Sequence, residues 1–196
     1  SADSGAPRAS QPPSTFSVAP VMKLALGDAR NAIASAISAG WVWGYEPSVT
    51  SGIRVVKNHI HEVGQGVLSD MGGVYTLGVQ PGSVVRGNLV HGVKANGYGG
   101  WAIYPDEGSA HLVIEDNGAY DTTGHVIHQH YGNENTVRNN VFAFGGEGVL
   151  ALSRGPAHNG GRGALAFTLE RNILVSDGKP VIATGLAGEG AEATGR

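Results

Sequence analysis

Short apolar segments centred on an asparagine recur along this chain. Five segments align so that an apolar residue stands three positions before the asparagine and another stands two positions after it. The aligned triplets are Val55, Asn58 and Ile60; Val85, Asn88 and Val90; Ile114, Asn117 and Ala119; Val137, Asn140 and Phe142; and Leu169, Asn172 and Leu174. The pattern defines a repeat of uneven length.

The two apolar positions of each repeat are separated by an odd number of residues. Side chains alternate between the two faces of a strand, so one straight strand could not direct both positions into one core. We therefore predict a corner at the asparagine. Its short amide tolerates left-handed backbone angles and can hydrogen-bond to another asparagine stacked above it.

Each repeat also carries a second short apolar run after a glycine or proline. The runs are Val67-Leu68, Trp101–Ile103, Val126-Ile127, Val149-Leu150 and Val181-Ile182. Each repeat is thus predicted to be strand, corner, strand and loop. Stacked repeats of this kind form an all-β parallel β-helix, a single-stranded solenoid of about five to six coils. An antiparallel sandwich is the alternative, whereas the patterns of leucine-rich repeats and propellers are absent.

We expect three parts in the chain. Residues 1–20 are rich in proline and serine, which is typical of a flexible leader. Residues 21–186 form the predicted β-helix domain, and residues 187–196 form a flexible tail. Residues 28–40 are ambiguous, because their alanine content favours a helix that caps the solenoid. Asn31, Ile33 and Ile37-Ser38 instead fit a degenerate first coil, which we favour.

Composition narrows the classes of partner. The chain has 196 residues, 32 of them glycine and none cysteine, and a formal net charge of −3. Disulfides and cysteine-bound metals are excluded, and the low negative charge disfavours a nucleic-acid partner. We expect no membrane partner, because no apolar run is long enough to span a bilayer, and no signal peptide opens the sequence. No cofactor-binding motif is present, and the oligomeric state is left open.

Chemically versatile residues follow the second strand of successive repeats. Equivalent positions in stacked coils lie ~4.8 Å apart and form a column. In chain order this column holds Trp41, Trp43, Tyr45, Asp70, Tyr104, Asp106, Glu107, His128, His130, Tyr131, Ser153 and Arg154. If Asp70 and Asp106 share a register, their carboxylates lie about 5 Å apart, as in a retaining glycosidase, whereas about 6.5–9.5 Å suits an inverting one. Their repulsion raises one pKa and leaves the other group ionised.

We predict Asp70 and Asp106 as the catalytic pair, with Glu107 as a competitor for the second role. Taken singly, each aspartate also fits an ordinary turn residue beside glycine. The predicted substrate-binding residues are Trp41, Trp43, Tyr104, Glu107, His128, His130 and Arg154. Aromatic rings suit sugar faces. Arg154 either pairs with a substrate carboxylate or compensates the charges of Asp106 and Glu107.

Two histidine pairs raise the question of a metal ion. His59 and His61, like His128 and His130, stand at positions i and i+2 of a strand, and such pairs can bind zinc. A metal site needs a third or fourth ligand and supporting hydrogen bonds, so we predict none. We interpret His128 and His130 as hydrogen-bonding groups or proton carriers, and His59 and His61 as structural or surface residues.

Three segments carry a resemblance to a known family. SDMGG (69–73), YPDEG (104–108) and HQHYG (128–132) resemble segments of carbohydrate-active, right-handed parallel β-helix proteins, in particular those related to glycoside hydrolase family 141. The resemblance covers about residues 31–175. It implies a right-handed solenoid and an exo-acting or side-chain-cleaving glycosidase, with Asp70 and Asp106 at the family's suspected catalytic aspartates. Members are usually several times longer, so we expect the chain to match part of such a protein.

These observations lead to an expected function. We expect a glycoside hydrolase that acts on plant or microbial polysaccharide, outside the cell or in the periplasm. A solenoid that binds carbohydrate without cleaving it is one alternative. A polysaccharide lyase is another, and it usually needs calcium or a basic residue to neutralise a uronate carboxylate.

Overall fold

The computed structural model describes residues 37–39, 44–47, 49–153 and 167–184. Within these ranges all regular structure is β, and no helix is present that is long and apolar enough to cross a membrane. The strands are β1 (Ile37–Ala39), β2 (Arg54–Val56), β3 (His59–His61), β4 (Gly72–Thr76), β5 (Val84–Arg86), β6 (Leu89–Val93), β7 (Trp101–Pro105), β8 (Val113–Glu115), β9 (Gly118–Thr122), β10 (His125–His130), β11 (Asn135–Arg138), β12 (Val141–Gly145), β13 (Gly148–Ser153), β14 (Phe167–Glu170), β15 (Ile173–Val175) and β16 (Ile182–Thr184).

The strands form three parallel sheets. Sheet A has the order β1-β4-β7-β10-β13-β16, sheet B the order β14-β11-β8-β5-β2, and sheet C the order β15-β12-β9-β6-β3. Every third strand therefore pairs with its counterpart in the next repeat, which is the connectivity of a β-helix-like solenoid. All the pairings are parallel, so the antiparallel sandwich is excluded. Each repeat contributes three strands, one more than the sequence predicts.

The corner between sheets B and C explains the additional strand. The residue before each aligned asparagine has a left-handed backbone, with φ of 57° at Lys57, 64° at Gly87, 58° at Asp116, 55° at Asn139 and 52° at Arg171. One left-handed residue reverses the side-chain alternation. The prediction of a corner is confirmed, but the left-handed residue is the one before the asparagine.

The asparagines form a hydrogen-bonded ladder along the solenoid. Asn58, Asn88, Asn117 and Asn140 each donate from the backbone N–H and from Nδ2 to Oδ1 of the next aligned asparagine, at 2.8–3.0 Å. From Asn88 onward, each Nδ2 also donates to a backbone carbonyl of the preceding repeat. Buried amide groups are thereby satisfied, and the ladder fixes how successive repeats align.

The core lies between the three sheets. The apolar residues on either side of each asparagine all contribute to it, with Leu169 and Leu174 only partly buried. Sheet A also contributes residues to the core, including Val74, Ile103, Ile127 and Leu150, which are aligned with one another in the strand register. The predicted core positions next to the asparagines are therefore confirmed.

On the outer face of sheet B, a buried glutamate lies between two arginines. Arg86, Glu115 and Arg138 are neighbours in the register, and only 4% of Glu115 is exposed. Arg138 donates to Glu115 at 2.6 Å, and Arg86 bonds to its other oxygen. Burial alone would raise the pKa of Glu115, but the two guanidinium groups hold it below its ordinary value. This face is therefore engaged in structural contacts.

One predicted strand is wrong. Val67 and Leu68 are exposed, Val67 in a turn and Leu68 directly after it, and the strand of that repeat is β4, which begins at Gly72. The connections before β4 and β7 span 62–71 and 94–100, whereas those before β10 and β13 span only 123–124 and 146–147. The predicted strand at Ile37-Ser38 is confirmed by its parallel pairing with β4. Asn31, Ile33, the leader and the tail lie outside the described residues.

The ladder makes a testable prediction about stability. Asn117→Ala leaves the backbone N–H and the amide of Asn88 without their acceptor, and the carbonyl of Val85 without its donor. Unsatisfied buried groups cost about 1–3 kcal/mol each, so the free energy of unfolding should fall by about 3 kcal/mol or more. Urea unfolding measures this change.

The matched control is Asn58→Ala. Asn58 is the first asparagine of the ladder among the described residues, and Oδ1 of Asn88 keeps the Asn58 backbone N–H as a donor after the change. We expect a loss of about 1 kcal/mol. Equal losses of unfolding free energy in the two variants would contradict the inference that the buried asparagines in the middle of the ladder contribute most to stability.

Candidate functional site

The outer face of sheet A presents two parallel rows of polar and aromatic side chains. Tyr75 and Tyr104 are register neighbours, and the pairing of Ile103 with Ile127 places His128 next to Tyr104. By the same register, Asp106, directly after β7, lies level with His130, and His130 pairs with Ser153. Parallel pairing holds such neighbours ~4.8 Å apart at the backbone, so their side chains can touch.

The carboxylate of Asp106 is held by hydrogen bonds from neighbouring side chains. Nδ1 of His130 lies 2.6 Å from Oδ1 of Asp106, and the hydroxyl of Tyr75 donates to Oδ2 at 2.5 Å. Burial alone would raise the pKa of Asp106, but the bonds from His130 and Tyr75, with one from the Glu107 backbone, outweigh burial and lower it. The carboxylate is therefore ionised at neutral pH and fixes the orientation of the His130 ring.

Asp70 approaches the same face from the opposite end of the strands. It is exposed, has a left-handed backbone with φ of 49°, and accepts a hydrogen bond from the hydroxyl of Tyr104 at 3.3 Å. Its backbone N–H donates to the carbonyl of Tyr98 at 2.9 Å. Gly99 permits this approach, because a Cβ there would lie 2.8 Å from the Asp70 nitrogen. Asp70 is thus a solvent-facing carboxylate placed beside a buried phenol.

The expectation that the two aspartates share a register is wrong. Asp70 precedes β4, whereas Asp106 follows β7, and the pairing of Gly72 with Trp101 sets Asp70 level with Gly99. The one-coil neighbour of Asp106 is His130. The stacking distance of ~4.8 Å between coils therefore cannot be used to estimate the distance between the two carboxylates. It predicts neither a retaining nor an inverting glycosidase.

Tyr104 nevertheless connects the two aspartates. Burial, followed by the charges of Asp106 and Asp70, raises the pKa of Tyr104 far above its ordinary value, so the phenol stays protonated and acts as a donor. The Tyr75 and Tyr104 rings meet edge to face with centroids 5.1 Å apart. Asp70, Tyr104, Tyr75, Asp106 and His130 therefore form one contiguous set, which we call the sheet A cluster.

His128 lies beneath this cluster. Its ring stacks on Tyr104 with centroids 5.3 Å apart, contacts Trp101, and has no exposed surface. Nε2 lies 3.1 Å from the Ser153 hydroxyl, and the buried Nδ1 has no hydrogen-bond partner. Burial, together with the neighbouring His130 and His125, lowers the pKa of His128 to about 3. The imidazole is therefore neutral and supports the ring of Tyr104.

The exposed rim beside the cluster is aromatic and acidic. Tyr98 is 52% exposed and meets Trp101 edge to face at 5.2 Å. Burial, with Asp70 as the next cause, raises the pKa of Tyr98. On the other side, Tyr45 bonds to the carbonyl of Tyr131, and burial, Glu107 and Tyr131 raise the pKa of Tyr45 to about 12. Both phenols are therefore uncharged donors at neutral pH.

A shallow pocket lies close to this rim. Its volume is about 260 Å³, and its lining residues are Tyr45, Pro47, Val79, Pro81, Ala110, His111 and Asn133. Tyr45 links it to Tyr131, whose ring contacts His130 with centroids 4.0 Å apart. The pocket is therefore connected to the sheet A cluster by two contacts, one from Tyr45 to Tyr131 and one from Tyr131 to His130.

The other predicted site residues have different outcomes. Trp41, Trp43 and Arg154 lie outside the described residues. Glu107 directly follows Asp106 and is half-buried.

The direct pairing of Asp106 with His130 and Tyr75 was not predicted from the sequence. The sequence contained a signal for the register, because Asp70 follows Asn58 by 12 residues whereas Asp106 follows Asn88 by 18.

Comparisons with known protein families, with curated proteins and with solved structures found no match for this chain. The function is therefore inferred from the residues and the geometry of the site.

The buried His128 predicts a specific dependence of stability on pH. Its pKa is about 3 in the folded protein and about 6.5 in an unfolded chain. Between these values the unfolded state binds more protons, so folding stability falls as the pH is lowered from 6.5 towards 3, by up to about 1.4 kcal/mol per pH unit. Urea unfolding at pH 5 and pH 7.5 measures the difference.

His128→Asn should reduce this difference by about 2 kcal/mol, because the titrating group is gone. His111→Asn is the matched control at an exposed position, and the reduction measured for His128→Asn should exceed the one measured for this control. A His128 variant with the full wild-type pH dependence would contradict the assignment.

Proposed function

We propose that the chain hydrolyses glycosidic bonds of plant or microbial polysaccharide at the sheet A cluster. The observation that carries the proposal is a contiguous set of side chains between the exposed Asp70 and the ionised Asp106: Tyr104 donates to Asp70, Tyr75 donates to Asp106, and the two tyrosine rings meet edge to face. Glycosidic hydrolysis requires one group that protonates the leaving oxygen and another that activates water or stabilises positive charge.

The geometry supports a division of roles. Asp70 is exposed, and its contact with Tyr104 uses only Oδ1, so Oδ2 is left to approach the leaving oxygen in the proposed role of general acid. Both oxygens of Asp106 already accept hydrogen bonds, which suits stabilisation of charge better than nucleophilic attack. His130, oriented through Nδ1, presents Nε2 to take the proton of an attacking water. The proposed outcome is therefore inversion.

Sugar binding is supported by the groups around the cluster. The exposed Tyr98 ring offers an apolar face next to Asp70. Glu107, Trp41, Trp43 and Arg154 remain proposed contacts to the polysaccharide, and His128 is proposed to act by holding Tyr104 in place.

The proposal extends to architecture and location. A right-handed solenoid of about five to six coils is supported by the parallel pairing of strands joined by crossover connections, which are right-handed in about 98% of cases. Polysaccharide substrates lie outside the cytoplasm, so we propose an extracellular or periplasmic site of action. The net charge of −3 gives no support for a nucleic-acid partner.

Asp70→Asn tests the proposed acid. The amide cannot donate the proton, so reducing-end release from a panel of plant and microbial polysaccharides should fall by about 10²-fold or more. Asp116→Asn is the matched control, because Asp116 is an exposed, left-handed aspartate at the corner between sheets B and C. Melting temperatures should be similar for both variants. Undiminished turnover in Asp70→Asn would rule out its role.

Tyr75→Phe tests the ionised state of Asp106. Loss of the hydroxyl that donates to Oδ2 disfavours the carboxylate, so the pKa of Asp106 should rise. The acid limb of the kcat/KM profile should move to higher pH by about one unit, since a hydrogen bond to a charged group contributes about 1.5–3 kcal/mol. A shift to lower pH, or none, would show that Asp106 does not govern the acid limb.

Binding without cleavage is the second candidate function. It is favoured by one observation, that Asp106 is 8% exposed with both oxygens engaged. Calorimetry that shows oligosaccharide binding, with no reducing-end release from the same sugars, would support this candidate. Release of an unsaturated, ultraviolet-absorbing product would instead indicate a lyase.

A further inference from the structure

Three histidines meet on the outer face of sheet C, away from the sheet A cluster. His59 and His61 project from the same face of β3, and His91 of β6 is the register neighbour of His61. The ring centroids lie 4.5 Å apart for His59 and His61, 5.0 Å for His59 and His91, and 5.5 Å for His61 and His91. We call this group the imidazole cluster. The proposed hydrolysis does not use it.

Two nitrogens of the cluster are already at chelating distance. Nε2 of His59 lies 2.8 Å from Nε2 of His91. With metal–nitrogen bonds of about 2.0–2.1 Å, this separation of 2.8 Å subtends an angle of about 84–89° at a shared metal ion. A tetrahedral ion would need nitrogens about 3.3–3.4 Å apart. The spacing therefore matches adjacent positions of a square-planar or octahedral ion.

The surroundings of the pair fit a cation. Oε2 of Glu62 lies 3.7 Å from Nδ1 of His61, and the Asp121 carboxylate, itself paired with Lys94 at 2.5 Å, is close to His91. The ring of Tyr120 stacks on His91 with centroids 4.8 Å apart and an interplanar angle of 8°, which holds the His91 ring in place. The His59–His91 contact is exposed, so water can fill the remaining coordination positions.

We propose that His59 and His91 bind a divalent transition-metal ion with a tetragonal preference, Cu(II) or Ni(II), through their two Nε2 atoms. Square-planar and tetragonal nitrogen sites are typical of these ions. No three His, Cys, Asp or Glu side chains in the described parts of the chain are grouped to hold a metal. The site is therefore a two-histidine chelate completed by water, with His61 as a neighbour.

When the ion enters a pair of neutral imidazoles, no net loss of a proton is required. In the metal-free pair, one imidazole carries its hydrogen on Nε2 and donates it to the other. When the ion enters, that hydrogen moves to Nδ1 of the same ring, so both Nε2 lone pairs face the metal. The hydrogen bond between the rings is replaced by two metal–nitrogen bonds.

Calorimetric titration of the full chain with CuSO4, NiCl2 and ZnCl2 in a weakly coordinating buffer tests the site. His59→Asn and His91→Asn should each weaken Cu(II) binding by at least about tenfold, since each removes one of two ligands. His111→Asn should have no effect, because His111 is an exposed histidine paired with Glu134 elsewhere on the solenoid. Far-ultraviolet dichroism checks that each variant is folded.

Electron paramagnetic resonance of the Cu(II) complex provides an independent measurement. The wild type and His61→Asn should show coupling to two imidazole nitrogens, and His59→Asn to one. Equal Cu(II) affinity in wild type, His59→Asn and His91→Asn would overturn the proposal. Tighter binding of Zn(II) than of Ni(II) would overturn the tetragonal assignment.

Discussion

The asparagine ladder sets the relative position of the repeats from Asn58 to Asn172. Each internal amide accepts from the backbone N–H and the side chain of the preceding asparagine, and its own Nδ2 donates to the next asparagine and to a carbonyl in the repeat before. The internal asparagines Asn88, Asn117 and Asn140 are buried, so a shift of one residue would leave several of their polar groups unsatisfied. The left-handed residue before each asparagine then turns the chain from sheet B into sheet C. Side chains far apart in sequence become neighbours as a result.

The three outer faces carry different chemistry on one core. Sheet B pairs Glu115 with two arginines, sheet C gathers imidazoles, and sheet A joins carboxylates to phenols and His130. In the sheet A cluster, burial would favour neutral Asp106, and donated hydrogen bonds keep it charged. His128, on the same sheet, is neutral because its ring is buried and has His130 and His125 as neighbours. The surroundings of the two side chains therefore keep Asp106 charged and His128 neutral, although both lie on the same sheet.

Much of the fold could be predicted from the spacing around the asparagines. The apolar residues at minus three and plus two identified the core, and the stacking of the amides followed from their alignment. Val67 and Leu68 misled the prediction, because the strand of that repeat begins with two glycines whose lack of side chains hides their burial. The partnership of Asp106 with His130 was missed, since Asp70 and Asp106 were compared as if the connections before their strands were equal. Hydrogen bonds between side chains that are far apart in sequence fix such contacts, and the spacing of residues along the sequence does not predict them.

The unequal connections between sheets C and A have a further consequence. The stretches 62–71 and 94–100 are several residues longer than 123–124 and 146–147, yet the ladder and all three sheets continue past them without a break. The two longer connections hydrogen-bond to each other, for example from the Asn96 N–H to the Leu68 carbonyl, and the entropy of loop closure changes only slowly with chain length. A short foreign peptide, such as an affinity tag or a fluorophore-accepting segment, is therefore best grafted into the short connection 146–147 of this edge, which leaves Asp70 and Gly99 in place.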